Sequence, residues 1–181
     1  MKNSPVPTVL IFSPASLVIV IFVLVLIIMP HWIGNEESHL EPSLTLETLG
    51  ICDTSEDEVY IHKEMSPIVK HYEYYEEVDD VGFGYDIYIT KWQMAYDSAV
   101  EYWTVPSKLD YEVFEDADVV EAIHNYYEVD EPAFRAEKVL YNEYGDRFLL
   151  LYPDRVVRLD IGVNLTDAQK KIICEKVLEI G

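Results

Sequence analysis

Residues 137–161 read EKVLYNEYGDRFLLLYPDRVVRLDI. Three runs rich in β-branched and aromatic residues, Glu137–Tyr144, Arg147–Tyr152 and Arg155–Ile161, are split by two turns. Tyr144-Gly145-Asp146 supplies a glycine that can take positive φ, and Pro153-Asp154 puts proline at a favoured turn position. In the third run Val157, Leu159 and Ile161 alternate with Val156, Arg158 and Asp160. This pattern predicts a three-stranded antiparallel meander. A helix follows, because Thr166 and Gln169 have the spacing of a capping box. Ile172, Ile173, Val177 and Ile180 fall on one face of that helix.

Working back toward the amino end, Glu58–His62 reads as a short strand and Tyr85–Thr90 as a cleanly alternating one. Ser66-Pro67 resembles a helix start, with Ile68, Val69, Tyr72 and Tyr75 at helical spacing, although the same residues suit a strand. Gly82-Phe83-Gly84 reads as the turn before the Tyr85 strand. Trp92, Tyr96, Ala99 and Trp103 predict a helix ending before Pro106. Asp110–Phe114 is a candidate strand, and Val119, Val120, Ile123 and Tyr127 mark a helix of about three turns. Strands interspersed with helices and closed by a meander predict an α+β domain with a mainly antiparallel sheet and a C-terminal helix.

A different segment governs location. Between Asn3 and Asn35 no side chain is charged, and Leu17–Met29 is an unbroken apolar run. The 22 residues from Thr8 to Met29 would make a helix about 33 Å long, enough for a hydrocarbon core of about 30 Å. Ser13-Pro14 and Pro30 offer boundaries, and Trp32 suits the lipid interface. The rival reading is a cleaved signal peptide, but Met29–Asn35 has no small-x-small cleavage pattern. The expected organisation is a cytoplasmic tail over 1–7, a single transmembrane anchor over 8–33, a linker over 34–43 and an acidic domain over 44–181. Lys2 precedes the span, and the next cation after it is Lys63. The amino end is therefore expected inside, with the domain outside the cell membrane.

The formal net charge is −21. Residues 36–134 hold 4 Lys/Arg against 26 Asp/Glu, whereas residues 135–181 hold 8 of each. That distribution excludes nucleic acid as a partner and argues against docking on anionic headgroups. It is compatible with a cationic protein or ligand, and equally with simple solubility. Disorder is excluded by composition, because residues 36–134 also hold 11 of the 14 Tyr.

No catalytic, metal or cofactor motif is present. The histidines lack zinc-protease spacing, and no Gly-x-Ser-x-Gly or Ser-x-x-Lys occurs. Glu76, Glu77, Asp79 and Asp80 are candidates for holding Ca²⁺ or Mg²⁺, against the plainer reading of a solvated turn. Cys52 and Cys174 are either a disulfide across an oxidising compartment or two buried thiols. Asn164-Leu165-Thr166 matches a glycosylation acceptor, but capping by Thr166 explains it as well. The residues favour a non-catalytic binding or interaction module at the cell envelope. The alternatives are an envelope hydrolase using a carboxylate pair, and a sensing or immunity-type ectodomain.

Overall fold

The computed structural model describes residues 44–52, 58–78, 80–114 and 116–180. The anchor expected over 8–33 and the linker over 34–43 lie outside these residues. Among the described residues no helix is long and apolar enough to cross a membrane.

Seven antiparallel strands form one sheet: β1 Glu58–Met65, β2 Val69–Val78, β3 Val81–Thr90, β4 Tyr127–Glu128, β5 Lys138–Asn142, β6 Arg147–Tyr152 and β7 Arg155–Ile161. Their order is β1-β2-β3-β7-β6-β5-β4, so β7 joins an amino-terminal three-strand wing to the meander. Four α-helices among the described residues accompany the sheet: α1 Gln93–Thr104, α2 Lys108–Val113, α3 Ala117–His124 and α4 Asp167–Glu179; Pro132–Phe134 adds a 3-10 turn. The domain is α+β, as the interspersed strand and helix signals predict.

Alternation along the strands creates two chemically different faces. On the first face Tyr74, Tyr85 and Leu159 lie on one cross-strand row, and Ile87, Val157, Leu150 and Val139 on the next. These side chains share one apolar cluster with Ile173, Cys174 and Val177 of α4, Phe134, and Leu44, Leu46 and Leu49. On the opposite face Leu149 and Val156 pack with Ala99, Tyr96, Val100 and Trp103. The sheet is thus the middle of three layers, with α4 on one side and α1 on the other.

Residues 69–78 are a strand, correcting the helix favoured after Ser66-Pro67. Ser66 instead closes the β1–β2 hairpin: its Oγ accepts from Val69 N at 2.9 Å, and its backbone N–H donates to Val69 O at 2.8 Å. Ten residues of register with β3 then outweigh local helical spacing. Gly82 and Gly84 lie inside β3 rather than in a turn. A Cβ on either would come within 3.2 Å of the Tyr75 side chain, so that ring covers the two glycines. The turn itself is at Asp80, whose φ is 64°. Residues 108–113 are helical, not extended, because Ser107 and Asp110 form a capping box. Helix α3 stops at His124, and Tyr127 belongs to β4. The expected helix had run through both.

The carboxyl end follows the sequence closely. Thr166 and Gln169 form the predicted capping box. At the other end of α4, Arg155 Nη1 donates to Val177 O at 2.6 Å and to Ile180 O at 2.8 Å. A guanidinium there suits the negative end of the helix dipole.

Candidate functional site

Three of the four residues singled out for a surface cation, Glu76, Glu77 and Asp80, are among the described residues. Glu76 and Glu77 alternate to opposite sides of β2. Glu76 is buried and accepts a hydrogen bond from Leu46 N, while Glu77 accepts one from Tyr75 Oη at 2.8 Å. Asp80 is in the hairpin turn, and Asp79 lies outside the described residues. Cys174 is buried and Cys52 half-buried, and both border the same apolar cluster.

Two other surfaces carry chemistry. The first is the part of the sheet's second face formed by β1, β2 and β3. Cross-strand pairing places His62 opposite Glu73, Glu73 opposite Asp86, and Asp86 opposite Arg158. His71, two residues from Glu73, shares its face. His71 Nε2 lies 3.2 Å from Asp86 Oδ1, and its ring stacks on Tyr88 at 4.1 Å. His62 meets His71 edge-on, with ring centroids 6.2 Å apart. Asp86 Oδ2 lies 3.5 Å from Arg158 Nη1. Arg158 also bonds Asp160 and sits 4.1 Å above the Trp103 ring. Arg147 Nε is 2.9 Å from Asp160 Oδ1, an ion pair without hydrogen-bond alignment.

The result is a row of charged and imidazole side chains that begins under α1 and runs out onto the three-strand wing, with the carboxylates of Glu73 and Asp86 as direct neighbours. Burial pushes the Tyr88 hydroxyl well above its usual range, and the neighbouring Asp86 carboxylate adds to this. Tyr60 at the outer end is raised by partial desolvation and by its hydrogen bond and proximity to Glu73. Potential metal-ligating atoms of His71, Glu73 and Asp86 lie within 4.8 Å of one another. Sequence reasoning missed this cluster because reading 69–78 as a helix separates His71 from Glu73. The period-two reading puts them side by side.

The second surface is the helical layer. Helix α2 buries none of its residues. Leu109 and Val113 are 65% and 64% exposed, and Met94 and Tyr102 of α1 are 76% and 64% exposed. Between Gln93 and His124 the one Lys or Arg is Lys108, against Asp97, Glu101, Asp110, Glu112, Glu115, Asp116, Asp118 and Glu121. Lys108 pairs with Glu112 at 3.4 Å. The capping box fixes α2, with Ser107 N donating to Asp110 Oδ2 at 2.6 Å and Asp110 N donating to Ser107 Oγ at 3.3 Å. His124 anchors the layer from beneath: Nδ1 donates to Trp103 O at 2.8 Å, and Nε2 lies 3.4 Å from Asp110 Oδ2. Hydrogen bonds from Ser107 hold the Asp110 carboxyl below its usual range, with His124 adding to the effect.

No protein family matches the chain, and no curated protein or solved structure matches it.

Proposed function

We propose that this chain is a membrane-tethered interaction module whose outer domain docks a cationic protein on the α1–α2 surface. The observation that carries the reading is α2 itself, a capped helix that buries none of its own side chains. Leu109 and Val113 stand four residues apart on this helix and are both exposed, and neighbouring exposed apolar side chains of this kind suit a contact surface. The acidic residues of 93–124 select the partner's charge, because a segment with eight carboxylates and one lysine attracts a basic surface and repels an acidic one. The tether rests on the uncharged stretch between Asn3 and Asn35. It would put residues 1–7 in the cytoplasm, span the bilayer over 8–33 and leave 44–181 outside. In an oxidising compartment, a Cys52–Cys174 bridge would tie the amino-terminal segment of the domain to α4.

Photo-crosslinking in intact cells tests the docking. A photoreactive residue replaces Leu109 in one variant and exposed Lys171 on α4 in another. The expected result is one discrete protein adduct from position 109, mapped to a Lys/Arg-rich stretch of the partner. That adduct should be lost in a Glu101→Lys/Glu112→Lys background. Equal adducts from both positions, or adducts only to lipid or to a second copy of this chain, overturn the reading. An envelope hydrolase would have Glu73 and Asp86 as its carboxylate pair, since they are direct cross-strand partners.

A further inference from the structure

We propose that His71, Glu73 and Asp86 form a binding site for a divalent transition-metal ion, with His62 positioned as a fourth ligand. The site is on the three-strand wing and is independent of the α1–α2 docking surface.

The donor set comes first. One imidazole nitrogen and two carboxylate oxygens suit zinc-like dications, whereas an all-oxygen set suits Ca²⁺ or Mg²⁺. The strand geometry supplies the placement. Residues two apart on β2 point the same way, and the partner of Glu73 on β3 points with them. Ligating atoms lie within 4.8 Å of one another. Bonds of about 2.1 Å to a tetrahedral ion bring ligand atoms to about 3.4 Å apart, so side-chain shifts of about 1 Å close the set. All three residues are half-buried or deeper, and two strands and the Tyr88 stack limit their freedom.

Electrostatics gives an independent reason. Glu73 directly faces Asp86 across the β2–β3 ladder, and like charges in that position repel. Among the described residues no Lys or Arg forms an ion pair with Glu73. Arg158 reaches only Asp86, at 3.5 Å, and is also engaged by Asp160 and Trp103. A dication between the carboxylates turns that repulsion into attraction. Arg158 would then orient Asp86 from behind, as outer partners orient metal-binding carboxylates. His62 is the cross-strand partner of Glu73 and has its ring 6.2 Å from that of His71, which makes it the nearest candidate to complete a two-histidine, two-carboxylate site.

The test uses the full chain, purified without an affinity tag and titrated calorimetrically with ZnCl₂ and with CaCl₂. The expected result is a single Zn²⁺ site, with Ca²⁺ at least a hundredfold weaker. Glu73→Gln and His71→Gln should each weaken Zn²⁺ at least tenfold, and Glu77→Gln should leave it unchanged. Glu73→Gln keeps side-chain shape, and circular dichroism checks that it folds. In the unmodified chain, Zn²⁺ should shift the His71 ring resonances. Equal Zn²⁺ affinity in the Glu73→Gln and unmodified proteins, Ca²⁺ binding as tight as Zn²⁺, or ring shifts confined to other histidines would each overturn the site.

Discussion

Replacing Arg155 with Met should be among the most damaging single changes outside the apolar core. Arg155 is only 8% exposed at the start of β7, and its Nη1 serves the Val177 and Ile180 carbonyls that end α4. Its Nε and Nη2 also grip Asp154, each at 3.0 Å. Methionine keeps much of the apolar stem and removes the donors, so packing loss is small. A hydrogen bond to a charged group is worth about 1.5–3 kcal/mol net, and two are lost. The Asp154 pair is half-exposed and adds about 0–1 kcal/mol. Fraying of the last α4 turn would let water recover part of this, which lowers the expected cost to roughly 2–5 kcal/mol. At about 3 °C per kcal/mol for a domain of this size, the melting midpoint should fall by roughly 6–15 °C. Guanidinium unfolding followed by far-UV circular dichroism measures the loss. Amide exchange should report it first at residues 177–180. Asp154→Asn, which spares both α4 bonds, should cost under about 1 kcal/mol. If Arg155→Met lies within about 0.5 kcal/mol of the unmodified protein, or Asp154→Asn costs as much, the helix-end role of Arg155 is wrong.

Three further outcomes are expected. Leu159→Ala, at a fully buried position, should cost about 2–5 kcal/mol, whereas Leu109→Ala on exposed α2 should stay within about 0.5 kcal/mol; equal losses in denaturant melts would contradict the layering. Asp154 is held below the usual carboxylate range by its Arg155 hydrogen bonds, and Asp110 by those of Ser107. Their stabilisation is therefore complete above the unfolded value of ~3.9 and disappears as pH falls through the folded values. An Asp110→Asn/Asp154→Asn variant should melt lower at neutral pH and show a shallower fall in midpoint below about pH 4. The Tyr141 hydroxyl donates to Asp146 at 2.6 Å and is pushed up to about 12, mainly by that bond. Asp146→Asn should bring its titration back toward ~10 in a spectroscopic base titration.

The meander and α4 were legible because local signals there agree with the tertiary solution. Strict alternation, two turn motifs and a capping box all point the same way along 137–179. Residues 69–78 were harder, because Ser66-Pro67 fits either a helix start or the corner of a hairpin. Only pairing with β3, a non-local fact, separates the two. Similarly, Tyr111 and Phe114 suggest a strand, while Ser107-x-x-Asp110 encodes the helix that forms. The acidic character of residues 93–124 was readable from composition, but the exposure of α2 was not. The histidine–carboxylate cluster needed strand identity and register together, so its residues were visible individually and not as a group.

Docking of a cationic partner at the envelope requires the domain to be displayed outside the cell on a membrane-held chain. A Leu178→Cys variant, with Cys52 and Cys174 changed to Ser, places a thiol at a position that is 47% exposed on α4. Intact cells are treated with a membrane-impermeant maleimide, and the membranes are then washed with alkaline carbonate. The expected result is labelling without lysis and retention of the full-length chain in the washed membranes. Labelling only after lysis, or release of the full-length chain by carbonate, would contradict it.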